Sequence, residues 1–65
     1  MSKPTITRSG AGLYHFTGWV ADHLVQYSIL KTNEGWKITR LYGQGPDFYL
    51  PRKTKRDAIA AIVHA

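Results

Sequence analysis

The 65-residue chain has no cysteine and no long run of apolar residues. Without cysteine it can form neither a disulfide framework nor a thiolate zinc site, and a reducing compartment is compatible with this composition. The apolar run over residues 58–63 is far shorter than the roughly 20 residues that span a bilayer, and the N-terminal Met-Ser-Lys-Pro lacks the apolar stretch of a signal peptide. These absences predict a cytoplasmic protein with no membrane partner.

Acidic residues are also scarce, since four aspartates and glutamates oppose nine lysines and arginines and leave a formal net charge of +5. The cations are concentrated in the second half of the chain, where residues 31–65 contain seven of them. A basic balance favours a nucleic acid, an anionic membrane or an acidic protein as partner. Solubility alone is a simpler explanation of a net charge of this size.

No set of catalytic residues can be assembled from the sequence. The four acids are scattered, and the three histidines have neither a carboxylate nor a second histidine at the spacing of metal ligands. Gly43, Gly45 and Pro46 are not followed by the Gly-Lys-Ser/Thr ending of a phosphate-binding loop. We therefore expect a protein that is not an enzyme and that uses no metal and no cofactor.

The composition divides the chain into residues 1–12 and a single domain over residues 13–65. The first segment, MSKPTITRSGAG, has Ile6 as its one aliphatic anchor and predicts a mobile arm or a short edge strand. Aromatic residues alternate with polar ones over residues 13–19, which predicts a strand. A connection follows, and the next strand is expected to begin at Leu24.

The clearest element is a β-hairpin within residues 24–42. A four-residue turn over residues 32–35 gives three pairs: Ile29 with Ile38, Tyr27 with Arg40, and Val25 with Tyr42. This register separates apolar from polar side chains, whereas a three-residue turn leaves both faces mixed. The apolar face, which we expect to be buried, contains Val25, Tyr27, Ile29, Trp36, Ile38 and Tyr42.

A helix is predicted to follow Thr54. Thr54 and Asp57 match the S/T-x-x-D/E signature, in which the hydroxyl caps the helix and the acid suits the positive end of its dipole. Four residues form one apolar stripe that must be buried on the sheet: Ala58, Ile59, Ile62 and Val63. The predicted fold is α+β, a three-stranded antiparallel sheet with one C-terminal helix packed on one face (β-β-β-α). The other face of the sheet is left open.

Four cations at the predicted helix start raise the question of function: Arg52, Lys53, Lys55 and Arg56. Lys55 and Arg56 would lie in the first turn, where the helix dipole disfavours each by about 0.3 kcal/mol or more. Phosphate bound by cations and free amides at a helix N-terminus would offset this cost. An ordinary solvated loop and a site for an acidic protein are the alternatives.

The strand order, the Gly-Trp pair that opens the last strand and the stretch TKRDAIAAI resemble the small β-β-β-α arm-type DNA-binding domains at the N-termini of phage integrases. The resemblance covers most of residues 13–65 and implies a sheet that enters the major groove. The helix start also resembles the last helix of double-stranded RNA-binding domains, but no helix precedes the strands here. Because no recombinase domain accompanies it, the resemblance implies a free-standing, phage-encoded accessory protein.

The sequence thus predicts a small protein that binds DNA rather than RNA. Six cations and two polar residues of the open face are expected to contact it: Lys37, Arg40, Arg52, Lys53, Lys55, Arg56, Gln26 and Thr39. The alternative is a phage-like module that binds or inhibits an acidic host protein through four residues of the open face: Leu13, His15, Trp19 and Leu41. Trp19 could instead fold over the sheet end into the core. A homodimer is a further alternative, because it would bury Leu24, Leu30 and Leu41, the apolar residues that the open face leaves exposed.

Overall fold

The computed structural model describes residues 4–64 as four antiparallel strands followed by one helix. The strands are β1 (Thr5–Gly10), β2 (Leu13–Val20), β3 (His23–Thr32) and β4 (Gly35–Tyr42), and they lie in the sheet in chain order. The helix α1, Lys55–Val63, packs on one face against β2, β3 and β4. No helix among the described residues is both long and apolar enough to cross a membrane.

The predicted α+β class with one C-terminal helix is confirmed, whereas the predicted count of three strands is wrong. Residues 5–10 pair with β2 and add a fourth strand at the edge of the sheet. Of the two alternatives for residues 1–12, the short edge strand is therefore the one present in residues 5–10. All six of these residues are exposed, so no apolar alternation distinguished the strand from a mobile arm. Residues 1–3 and 65 of the predicted segments lie outside the described residues.

One apolar core lies between the sheet and the helix. Its buried side chains are Phe16, Val20, Val25, Tyr27, Ile29, Ile38, Ala58 and Ile62, with Trp36 packed against them. The predicted helical stripe is too wide, because Val63 is 45% exposed. At 3.6 residues per turn Val63 lies about 100° around the helix from Ile62, which points it away from the sheet.

The β3–β4 hairpin has the predicted register from its turn as far as Tyr27. The predicted pair of Val25 with Tyr42 is wrong, because a β-bulge sets both Leu41 and Tyr42 opposite Gln26. The extra residue shifts the alternation of β4 by one position. Tyr42 is therefore 60% exposed instead of buried in the core.

The segment between β4 and α1 covers the part of the core that the helix does not reach. Phe48 packs edge-on against Tyr27 with 5.6 Å between ring centroids, and the Tyr27 hydroxyl donates to the Pro46 carbonyl over 2.7 Å. Burial raises the pKa of Tyr27 above the ordinary tyrosine value, so the hydroxyl keeps the proton that it donates. A Cβ on Gly45 would collide with this hydroxyl, which shows how closely the segment approaches the sheet.

The β2–β3 turn predicts a stabilising substitution. Ala21 and Asp22 have φ angles of 50° and 66°, a left-handed conformation that costs a residue with a Cβ roughly 1–2 kcal/mol. Ala21→Gly removes this cost at the first position, so we expect it to raise the free energy of unfolding by about 1 kcal/mol in urea denaturation.

Ala11→Gly is the matched control, because Ala11 is an exposed turn residue without a positive φ. There glycine only adds freedom to the unfolded chain and should lower the stability by about 0.4–1 kcal/mol. Equal losses in the two variants would show that the β2–β3 turn stores no strain.

Candidate functional site

The β1–β2 turn, the β3–β4 turn and the start of α1 meet at one end of the molecule. Leu13 pairs with Leu30, and the Lys31 amide donates across the turns to the Gly12 carbonyl over 2.8 Å. The first residue of α1 places its side chain over Tyr14 in the same region. We call this region the basic end and define it by seven cations: Arg8, Lys31, Lys37, Arg52, Lys53, Lys55 and Arg56.

Strand pairing gathers these cations from distant parts of the chain. Lys31 pairs with Trp36, and Trp36 exchanges two backbone hydrogen bonds with Arg52, of 2.7 and 2.9 Å. Neighbouring strands lie about 5 Å apart, and Trp36 lies between Lys31 and Arg52, so the Cα atoms of these two cations are about 10 Å apart. Arg8 joins from the edge strand by pairing with Tyr14. The basic end is therefore a product of the tertiary fold and not of one basic run.

Most of the net charge of the chain lies at this end. Its seven cations are opposed there by two carboxylates, Glu34 in the β3–β4 turn and Asp57 in the first helical turn, which leaves an excess of five. Elsewhere Arg40 and Asp47 form an ion pair of 3.3 Å, and Asp22 lies in the β2–β3 turn. The positive potential is consequently directed from one end instead of being spread over the surface.

Thr54 caps the start of α1, as the sequence predicts. Its hydroxyl accepts from the Asp57 amide over 3.1 Å. Lys55 and Arg56 both oppose the helix dipole, but only Lys55 is compensated within the described part of the chain, because its Nζ lies 4.1 Å from the centroid of the Tyr14 ring. Such a cation–π contact contributes about 0.5–1 kcal/mol at an exposed site. Lys55 thus has a structural role that Arg56 lacks.

Five cations of the basic end are available to a ligand. The side chains of Arg52, Lys53 and Arg56 are exposed and make no hydrogen bond or ion pair within residues 4–64. Lys31 and Lys37 are exposed as well.

Arg40, also predicted to contact nucleic acid, is engaged within the protein. Besides its ion pair with Asp47, its guanidinium donates to the carbonyls of Gly43 and Gly45 over 3.3 and 3.0 Å. These contacts hold the segment that follows β4 against the strand. Arg40 therefore anchors the fold next to the Tyr27 hydrogen bond.

The predicted nucleic-acid contacts lie on two different surfaces. Gln26 and Thr39 alternate with buried core residues and so face the open side of the sheet, opposite the helix. Arg52 and the cations of the helix start lie on the helix side. Lys37 belongs to both surfaces. It lies at the basic end, and its position opposite Leu30 in the β3–β4 pair puts it on the open face.

The residues predicted to bind a protein are likewise divided along the open face. Trp19 is 61% exposed, so the alternative that it folds into the core is wrong. It belongs to an exposed apolar group remote from the basic end, which we call the far-end cluster: Trp19, Leu24, Leu41 and Tyr42. Leu13 lies about 20 Å along β2 from Trp19. His15 lies between them and shares a 2.8 Å hydrogen bond with the Ser9 hydroxyl.

Sequence reasoning missed Arg8, Lys31 and Tyr49. Lys31 could have been found, because the predicted hairpin register already sets it opposite Trp36. Arg8 could not, since its position depends on the register of β1, and the sequence offered that strand only as an alternative to a mobile arm. Tyr49 is 84% exposed beside the basic end, and nothing in its local sequence distinguishes it from a core residue.

Comparison with known proteins supplies no relative for this chain. No protein-family model matches it, and neither does any curated protein or solved structure. Within residues 4–64, no group of three or more histidine, aspartate or glutamate side chains is placed to hold a metal ion. Function therefore has to follow from the surface chemistry of the described residues.

The two first-turn cations predict different effects on stability. Arg56→Gln removes a charge that opposes the dipole and should raise the free energy of unfolding by about 0.3 kcal/mol or more. Lys55→Gln gains the same dipole term but loses the contact with Tyr14, so it should be less stable than Arg56→Gln by about 0.5–1 kcal/mol. Urea denaturation at low ionic strength measures both variants, and equal stabilities would show that the Tyr14 contact contributes nothing.

Proposed function

We propose that the protein binds nucleic acid and that the basic end contacts the phosphates. The observation that supports this most directly is the excess of five positive charges at one end, with Arg52, Lys53 and Arg56 exposed and unpaired in the described structure. Arg56 is placed where the helix dipole disfavours it, and a bound phosphate would remove that cost. The first-turn amides of α1 provide additional donors for the same phosphate.

A nucleic acid suits this surface better than an acidic protein does. Its cations belong to β1, β3, β4, α1 and the segment before α1, and the Cα atoms of Lys31 and Arg52 are about 10 Å apart. A nucleic acid carries a phosphate every few ångströms and can meet cations at many spacings. An acidic protein would need carboxylates at matching positions.

The resemblance to arm-type domains favours DNA as the nucleic acid. In those domains the sheet enters the major groove, whereas the cations of this chain lie mostly on the helix side. We therefore propose that the basic end, led by the loop before α1, approaches the backbone first. Lys37 extends the contact around the edge of β4 to the open face.

Salt dependence tests the proposal. Binding of a DNA duplex should weaken linearly on a log-log plot, with a slope of about −0.9 for each phosphate neutralised. The variant Lys53→Gln/Arg56→Gln should weaken binding and reduce the slope by about 2, because two phosphate contacts are lost. Fluorescence anisotropy with a labelled duplex at several salt concentrations measures both quantities.

The matched control is His23→Glu/Gln44→Glu, which lowers the net charge by the same amount at exposed positions away from the basic end. It should leave the slope unchanged. If both variants weaken binding equally, only net charge matters and the basic end is not the contact surface. No binding of any nucleic acid at low salt would reject the function.

The far-end cluster supports a second candidate function, which is binding of a protein partner. Trp19 and Tyr42 are 61% and 60% exposed, and aromatic side chains on an otherwise polar surface are typical anchors of protein interfaces. This surface lies at the other end of β2 from the basic end, so both functions can be tested independently.

Trp19→Ser tests this candidate. We expect a partner that survives nuclease treatment in an affinity purification to be lost with Trp19→Ser and retained by Lys53→Gln/Arg56→Gln. Sedimentation of the purified protein at high micromolar concentration shows whether the partner is a second copy of the chain. A partner that is retained by Trp19→Ser would exclude the far-end cluster as its binding surface.

A further inference from the structure

Tyr49 is the most exposed large apolar side chain in the described part of the chain. It is 84% exposed, more than Trp19 or Tyr42 at the far end. Its neighbour Phe48 turns inward and packs on Tyr27, which leaves the Tyr49 ring directed out of the core. The Tyr49 ring therefore contributes little to the core and is available to a ligand.

An open concavity of about 390 Å³ adjoins the Tyr49 ring, and we call it the Tyr49 concavity. It lies between the β3–β4 turn and the segment that leads to α1, and its lining residues are Thr32, Asn33, Glu34, Lys37, Tyr49 and Pro51. The volume is within the range of about 300–1,000 Å³ that small-ligand sites occupy. A second hollow of about 270 Å³ shares Lys37 and Tyr49 and continues along the edge of β4.

The two walls of the Tyr49 concavity are fixed relative to each other. On the turn side, the Thr32 hydroxyl donates to the Gly35 carbonyl over 2.8 Å and accepts from the Glu34 amide over 3.2 Å. The opposite wall is joined to β4 by the backbone pair of Trp36 and Arg52. Gly35 lies so close to the Arg52 carbonyl that a Cβ would collide with it. The site is therefore formed before any ligand binds, which reduces the entropy cost of binding.

The side chains around this concavity match the chemistry of a nucleobase and its phosphate. The Tyr49 ring offers a flat aromatic surface, and the Pro51 ring adds apolar surface beside it. The Asn33 amide can donate and accept along a base edge, and the Glu34 carboxylate accepts from ring or exocyclic N–H groups. Lys37 supplies a positive charge for the adjoining phosphate.

We infer that the Tyr49 concavity binds an unpaired base of a single-stranded nucleic acid, stacked on Tyr49, with Lys37 at the neighbouring phosphate. This inference rests on the proposed function and specifies the form of nucleic acid. A base within a duplex has both faces covered by its neighbours, whereas an unpaired base can leave the stack and lie on an aromatic ring. An acidic peptide fits less well, because its carboxylate side chains have no flat aromatic face to stack on the Tyr49 ring.

Binding of single strands by Tyr49 variants tests the inference. Anisotropy is measured with labelled oligothymidylate, oligouridylate and a DNA duplex of equal length. Tyr49→Ala should weaken binding of a single strand by about 5- to 100-fold, the effect of losing one stacked base, and leave the duplex unaffected. Tyr49→Phe keeps the ring and should bind as the wild type does. The oligothymidylate and oligouridylate arms show whether the strand is DNA or RNA.

Leu50→Ala is the matched control for loss of an exposed apolar side chain, since Leu50 is 79% exposed and does not line the Tyr49 concavity. It should bind single strands as the wild type does. Lys37→Gln should lower the salt slope for single strands by about 0.7.

Two outcomes would overturn the inference while leaving the proposed function intact. In the first, Tyr49→Ala binds single strands as tightly as the wild type. In the second, Tyr49→Ala and Leu50→Ala weaken single-strand and duplex binding alike. If the wild type binds neither form at low salt, the proposed function and the inference fail together.

Discussion

The buried Tyr27 side chain connects the sheet to the segment that follows β4. Its ring packs edge-on against Phe16 in the sheet and Phe48 in the segment after β4, and its hydroxyl donates to Pro46. The structure needs this connection because α1 has only nine residues and fully buries just Ala58 and Ile62. A helix this short cannot cover a four-stranded sheet by itself. The segment held by Tyr27 covers the rest of the core and then pairs with β4 through Arg52 and Trp36. This pairing determines where the helix begins and where its cations lie.

Features that depend on short-range pattern could be predicted from the sequence. The hairpin register follows from the alternation on either side of one turn, and the helix start follows from Thr54 and Asp57. The bulge at Leu41 could not be predicted, and the edge strand could be predicted only as an alternative to a mobile arm, because neither leaves an apolar pattern. β1 contributes no buried side chain, and a bulge is specified by how a strand end meets its surroundings. The misplacement of Tyr42 followed directly from the undetected bulge.

The candidate site also has features that the sequence predicts and features that depend on the tertiary fold. The group from Arg52 to Arg56 was evident as a charged helix start. Its separation from Gln26 and Thr39 was implied too, because the helix was expected on the apolar face and these two residues on the open face. The long-range path of the chain after β4 could not be predicted. The same long-range path gives Lys55 its contact with Tyr14 and leaves Tyr49 outside the core. Residue type thus identified the cations, while the tertiary path determined which of them have partners within the protein.

The position of β1 makes the basic end sensitive to local opening. β1 pairs only with β2, all of its side chains are exposed, and α1 does not pack on it among the described residues. Segments with so few buried contacts open at a free energy well below that of global unfolding. Amide hydrogens that join β1 to β2 should then exchange with solvent sooner than those between β2 and β3. Because Arg8 belongs to β1, each opening also removes one cation from its place beside Tyr14, and the charge presented at that end depends on whether the strand is paired.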